Sequence, residues 1–223
     1  MPEDAKPERR VRSFVRRAGR LTPAQRRALQ ELWQCYGIEF AREPVDFDEI
    51  FGRPGLRVLE IGFGNGELLA AVAAAQPECD FIGVEVHEPG VGHCLLRLEK
   101  LGLTNVRLIR HDAIEVLQQQ VPDGALNQVN LFFPDPWPKK RHHKRRIVKP
   151  TFLALIHRKL TDGGLFHVAT DWMNYAEHIE ETINSVELFE VVEIDAATRP
   201  ETKFELRGKR LGHDIWERVY RRI

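Results

Sequence analysis

Leu56-Arg-Val-Leu-Glu-Ile-Gly-Phe-Gly-Asn-Gly-Glu-Leu-Leu-Ala-Ala-Val-Ala-Ala-Ala75 contains a strand, a turn and a helix in one short run. Leu56 to Ile61 is a brief apolar segment of strand length. Gly62, Gly64 and Gly66 punctuate the turn, and Glu67 to Ala75 is an Ala/Leu-rich helix. The same alternation continues outward. Phe81 to Val84 reads as a second strand ending at Glu85, followed by a helix around Val91 to Leu101. A third strand, Val106 to Ile109, ends near Asp112. Leu126 to Phe133 is the fourth strand, Pro150 to Leu160 a helix, and Gly164 to Thr170 the fifth strand. Asp123-Gly124 and Asp162-Gly163-Gly164 read as turns feeding those strands. Strand and helix in alternation predict an α/β fold: a mostly parallel twisted sheet with helices on both faces. Two more strand-like segments, Leu188 to Ile194 and Ile215 to Tyr220, close the chain around a polar loop. Ligands of such sheets bind at the carboxyl ends of the strands, where the strand order switches.

Upstream, Thr22 and Pro23 mark a helix start, as cap and first helical residue. The helix is expected to reach Tyr36, with Leu29, Leu32 and Trp33 on one face and Gly37 as its stop. Residues 1–36 are therefore read as a basic N-terminal arm and helix, and residues 37–223 as the main domain. At 223 residues, with 43% hydrophobic and 30% charged residues, the chain is long enough for one domain with a real core. Its formal net charge is zero, yet the charge is unevenly spread. Residues 9 to 27 contain Arg9, Arg10, Arg12, Arg16, Arg17, Arg20, Arg26 and Arg27 with no acid among them, and residues 139 to 149 add seven more cations, again without an acid. The balance therefore hides two basic patches suited to a polyanion. Cys35, Cys79 and Cys94 form no C-x-x-C pair and are expected to be small buried hydrophobes, with no metal site. No run approaches a membrane span, and Glu3, Asp4 and Glu8 argue against an Arg-rich targeting peptide; a cytoplasmic location is expected.

The glycines fall in G-x-G-x-G order, not the G-x-G-x-x-G order that lays a pyrophosphate on a helix N-terminus. Glu60, two residues before the first glycine, would repel a pyrophosphate and favour a ligand carrying positive charge. Such a ligand is S-adenosylmethionine, which has a sulfonium, an amino group, a ribose and an adenine but no phosphate. Glu85 lies about twenty residues beyond the glycines, where an acid can bridge ribose hydroxyls. Asp112 is placed to accept from an adenine amino group. A fourth acid, Asp135, interrupts Phe133-Pro-Asp-Pro-Trp-Pro138 at the end of the fourth strand. Single acids at strand ends are usually solvated loop residues; four at successive strand ends beside this turn form a set.

With these residues in view, the chain resembles the bacterial tRNA (guanine-N7-)-methyltransferases, a family of class I (Rossmann-like) S-adenosylmethionine-dependent methyltransferases. The match rests on Arg12-Ser-Phe-Val-Arg-Arg17, Leu59-Glu-Ile-Gly-Phe-Gly-Asn-Gly66, Gly83-Val-Glu-Val-His87, Phe133-Pro-Asp-Pro-Trp-Pro-Lys-Lys-Arg-His142, Ala169-Thr-Asp-Trp172 and Thr202-Lys-Phe-Glu205. It covers nearly the full chain. The Pro-Asp-Pro-Trp-Pro-Lys-Lys and Thr-Lys-Phe-Glu blocks are specific to the family rather than to the fold. The resemblance implies that Glu60, Glu85, Asp112 and Asp135 contact the cofactor along the Gly62, Gly64 and Gly66 turn, with Asp135 also catalytic. It implies that Lys139, Asp171, Thr202, Lys203, Phe204 and Glu205 bind the substrate nucleotide. It also implies that Arg141, His142, His143, Lys144, Arg145 and Arg146 contact tRNA, and that the methylated atom is N7 of guanosine 46 in the variable loop.

Guanine N7 has an exposed lone pair, so the expected mechanism needs alignment and a negative charge near the developing cation rather than a base. Asp135 is expected to supply that charge. Trp137 is expected either to stack on the base or simply to pack. His142 and His143 read as RNA-facing donors rather than metal ligands, and Asp171 could also cap a helix. Glu205 could accept from guanine N1 and N2 and so select guanine. Three rivals stand: an exocyclic-amino methyltransferase, suggested by the Asp-Pro-aromatic pattern; a non-catalytic RNA-binding module of the same fold; and an NAD oxidoreductase, disfavoured by the glycine spacing.

Overall fold

A computed structural model describes residues 12–14, 19–193 and 214–223. The expected Thr202 to Glu205 segment lies outside the described residues, as does most of the basic arm. In chain order the elements are α1 (Pro23–Glu31), α2 (Trp33–Tyr36), α3 (Phe47–Phe51), β1 (Leu56–Ile61), α4 (Glu67–Ala75), β2 (Cys79–Val84), α5 (Glu88–Leu101), β3 (Val106–Ile109), α6 (Ala113–Gln119), β4 (Leu126–Phe132), a 3-10 segment (Lys140–Arg145), α7 (Pro150–Lys159), β5 (Leu160–Thr170), α8 (Met173–Asn184), β6 (Phe189–Val192) and β7 (Trp216–Arg222).

One sheet orders its seven strands β3-β2-β1-β4-β5-β7-β6. The first five run parallel, while β7 inserts antiparallel between β5 and β6. Because β2 lies on one side of β1 and β4 on the other, the switch in strand order falls between β1 and β4, where a ligand crevice opens at the carboxyl ends. Side chains of each strand alternate between two apolar layers. Val58, Phe81, Val106 and Leu108 pack with Ala28 of α1 and with α4 and α5. Leu59, Ile61, Ile82, Val84 and Ile109 pack with α6, α7 and α8 on the other face. That alternation with period two decides which way each site residue points.

Local chemistry accounts for the boundaries. The Thr22 side chain accepts from the Gln25 N–H while the Gln25 side chain accepts from the Thr22 N–H, a reciprocal cap that fixes α1. Gln25 also donates to the Pro89 carbonyl, and Ala28 is fully buried, so α1 lies on α5. The expected single helix to Tyr36 is divided at Leu32 into α1 and α2. Two helices were not expected: α3, capped by Asp46, and α6, capped by Asp112; α8, anticipated only through a possible cap at Asp171, buries Tyr175, Ala176, Ile179 and Ile183 at helical spacing. The Asp162-Gly163-Gly164 turn lies within β5 as an irregularity, since the β4–β5 register jumps from Leu126–Leu160 to Gln128–Leu165 and Gly163 has φ 70°. Cys79 and Cys94 are buried as expected, whereas Cys35 is exposed.

Candidate active site

Three glycines shape the turn after β1. Gly62, Gly64 and Gly66 have φ of 74°, 59° and 72°, left-handed values that a side chain resists. A Cβ on Gly62 or Gly64 would meet nothing within 4 Å, because both face open space before the sheet. A Cβ on Gly66 would lie 2.3 Å from Cys94 Sγ, because this glycine seats α4 against α5.

Glu85 follows β2 and is fixed before any ligand arrives. Its Oε2 accepts from the Gly64 N–H at 3.0 Å, and its Oε1 accepts from the Val86 and His87 N–H groups at 2.6 and 2.8 Å. Of the roughly four acceptor positions on a carboxylate, three are used, and one on Oε2 remains for a ligand hydroxyl. Asp112 caps α6, accepting from the Ile114 N–H at 3.0 Å, and is 8% exposed. Beside it His111 stacks on Phe40 at 3.7 Å and sits 2.6 Å from Glu115. Asp135 is exposed at the far side, beyond β4.

Glu85, Asp112 and Asp135 line one pocket with Gly62, His111 and an apolar lining that includes Ile61, Val84, Val86, Leu131 and Phe132. Ser13 and Phe14 of the N-terminal arm also border it. Among the described residues its lining contains no lysine or arginine. Apolar walls for an adenine, acids for hydroxyls and amines, and, among the described residues, no cation for a phosphate match S-adenosylmethionine and not a dinucleotide. Glu60 stands apart. On β1 it shares the face of Val58, so it is buried toward α4 and α5 and is not among the pocket's lining residues. Burial first, and then the charge of Glu60, push the Cys94 thiol up, against the opposing pull of Arg97.

The turn after β4 is unusual. Phe133 and Trp137 have φ of 50° and 46°, left-handed values rare for large side chains. The Trp137 indole N–H donates to the Ser13 carbonyl at 3.1 Å, Arg145 lies over its ring at 5.0 Å, and His142 meets it edge-on. The tryptophan thus joins the arm, the turn and the cationic segment. Lys139 precedes the 3-10 segment, and Lys139, Lys140, Arg141 and Lys144 are exposed. Desolvation, followed by the charges of Arg141, Arg145, Lys139 and Lys144, holds the His142 imidazole below its usual range. Arg146 differs from its neighbours. It is 2% exposed, with its guanidinium turned inward. Asp171 follows β5 and is half-buried; the cap position of α8 is Trp172, so Asp171 does not take the capping role it could have had, and the Trp172 N–H donates to Thr170 Oγ1.

Sequence reasoning missed His111, Ser13, Phe14 and the inward direction of Arg146. The position of His111 beside Asp112 at a strand end was a usable signal for the first. The other three depend on contacts distant in the chain.

A family model described as "Putative methyltransferase" matches residues 55–218. The chain is 52% identical over 227 residues to a tRNA (guanine-N(7)-)-methyltransferase of Aeromonas hydrophila, covering 99% of this chain and 96% of that protein. It is 51% identical to one of Klebsiella pneumoniae, over 99% and 95%. Among solved structures, it superposes on the 16S rRNA methyltransferase KamB with a TM-score of 0.56 at 13% identity, covering 79% of this chain and 92% of that one. On the aminoglycoside resistance methyltransferase NpmB1 the TM-score is 0.54 at 14% identity, over 94% and 98%. These two likenesses are of fold. Matched along nearly its whole length, the chain belongs to the bacterial tRNA (guanine-N7-)-methyltransferase family of class I S-adenosylmethionine-dependent methyltransferases.

Proposed function

We propose that the chain transfers the methyl group of S-adenosylmethionine to N7 of guanine in tRNA, at guanosine 46 of the variable loop. One observation carries the reading: a pocket lined, among the described residues, by three acids and no lysine or arginine opens beside a loop crowded with cations. The first suits a positively charged cofactor and the second a polyanion, and Asp135 stands where they meet.

When bound, S-adenosylmethionine supplies an electrophilic methyl on a sulfonium. Glu85 holds the ribose, already oriented by three backbone N–H groups. Asp112 and the apolar lining receive the adenine, and Glu60 acts from behind the glycine turn. No proton need leave guanine N7 before transfer, and the modified base is cationic. Asp135 therefore acts by ionised charge and by orienting the base, in the way fixed dipoles stabilise a developing charge. Lys139, Asp171 and the 202–205 segment bind the nucleotide, with Glu205 selecting guanine. Arg141, His142, His143, Lys144 and Arg145 meet phosphates, as does the arm of residues 1–36, whose helix packs on α5.

Incubation with bulk tRNA and methyl-labelled cofactor, followed by nucleoside mass spectrometry and mapping, tests the proposal. Label at N7 of guanosine 46 is the expected result. Label on an exocyclic amino group would favour the amino-methyltransferase alternative, and absence of calorimetric cofactor binding would favour a non-catalytic RNA-binding module.

A further inference from the structure

Arg146 ends the cationic run in the sequence but does not share its surroundings. Its Nε donates to the Pro136 carbonyl at 3.0 Å, its Nη2 to Asn174 Oδ1 at 2.7 Å, and its Nη1 to the Asn174 carbonyl at 3.4 Å. The guanidinium also covers the ring of fully buried Tyr175 at 4.9 Å. Among the described residues no carboxylate pairs with it. A buried cation held only by carbonyl oxygens and a ring is a poor device for stability, since an apolar side chain of the same size avoids the desolvation cost. Its value must lie in what it holds in place.

What it holds is the turn bearing Asp135. Pro134, Pro136 and Pro138 have no N–H, so this turn cannot close on the usual backbone hydrogen bonds. Left-handed Phe133 and Trp137 bracket it, and such strain persists only where the surroundings over-determine it. Among the described residues, two hydrogen bonds tie down positions 134–138: Trp137 to Ser13 and Arg146 to Pro136. The other arm of the guanidinium ends on Asn174 in the first turn of α8, three residues after Asp171. A planar fork reaches both at fixed geometry, as a lysine cannot.

We infer that Arg146 is a positioning residue: it clamps the Asp135 turn at the end of β4 to the Asp171 corner at the end of β5, and it does not take a phosphate. Its kinetic consequences rest on the methyl-transfer reading above, whereas the clamp itself can be measured without activity.

The test uses the full chain carrying Arg146→Lys, Asn174→Ala, both together, and Lys144→Ala as a phosphate-contact comparison. Arg146→Lys should lower kcat about tenfold or more while leaving cofactor affinity and the salt dependence of tRNA binding unchanged, since losing an interaction that is realised in the transition state lowers kcat. Asn174→Ala should act in the same direction, and the double variant should be no worse than Arg146→Lys, because both cut one clamp. Lys144→Ala should instead make the salt slope shallower by about one. Amide exchange read by mass spectrometry should quicken at residues 133–139 in Arg146→Lys and stay level in strands β1 to β3. This readout survives even if no tRNA is methylated, in which case the functional reading fails and the clamp is still decided. If Arg146→Lys fails to fold, Asn174→Ala supplies the same kinetic and exchange measurements. Native kcat in both single variants, a salt slope that changes in Arg146→Lys as in Lys144→Ala, or unchanged exchange at 133–139 would each overturn the clamp.

Discussion

Asp135 borders the pocket from an exposed position, and among the described residues its carboxylate makes no ion pair. A charge in no ion pair with the described residues is available to the cofactor and to the base that becomes cationic. Asp135→Ala is expected to lower single-turnover methyl transfer roughly 100-fold or more, in line with the loss of one charge-stabilising group, while the cofactor dissociation constant rises less than about tenfold. A near-native single-turnover rate would remove the residue from the transfer step. His142 makes a second residue-scale prediction. Its imidazole is held below the ordinary range by desolvation and by cations that bound phosphates would neutralise. The complex therefore holds the proton more firmly than the free protein, and binding takes protons up. By linkage, tRNA affinity should rise as pH falls from about 7.5 to about 5.5, more steeply in the native chain than in His142→Asn. Parallel pH profiles for the two would exclude His142 from the interface.

At the scale of elements, the β1–α4 turn has two separable jobs. Gly62 and Gly64 keep space open before the pocket, whereas Gly66 brings α4 onto α5. Gly66→Ala combines a left-handed φ with a Cβ driven into Cys94, a combination expected to cost roughly 2–5 kcal/mol. Gly62→Ala carries the backbone part alone, about 1–2 kcal/mol. Urea unfolding of the two variants checks the order, and equal midpoints would contradict it. The β1 strand settles its own question by alternation. Leu59 and Ile61 face α6 to α8, which places Glu60 in the opposite layer, where it is buried and not among the pocket's lining residues. The turn after β4 owes its shape to prolines that withhold N–H groups and to partners from α8 and the arm.

At the scale of the whole molecule, zero net charge conceals a division of labour. The acids of the pocket gather at the carboxyl ends of β2 to β4, and the exposed cations continue directly from the last of them. The Trp137–Ser13 bond brings the arm to the same end of the sheet. With about five phosphates engaged, tRNA affinity should fall roughly 10²–10³-fold between about 50 and 200 mM salt, through counterion release. Calorimetry over the same range should move cofactor affinity less than about twofold, because no phosphate is exchanged there. A flat tRNA response would refute an electrostatic interface.

Much of this architecture was legible in the residues. The bounds of β1, α4 and β3 follow from apolar runs, glycines and an Ala/Leu-rich helix, all local signals. The helices not read in full also left local marks: Asp112 before α6 with Glu115 in its first turn, Asp46 before α3, and helical spacing of buried residues in α8. What the sequence determined by itself was the alternation of elements, the acids at strand ends, the cationic run and the family, because each depends on neighbours within a few positions. Only the tertiary structure decided that Glu60 is buried and is not among the pocket's lining residues, that Ser13 and Phe14 border it, and that Arg146 turns inward while the cations beside it remain outside. Those facts depend on which face of a strand is buried and on partners such as Asn174 and Ser13, which folding alone brings near. A run of like charges looks uniform in one dimension; burial separates its members by the partners each can reach.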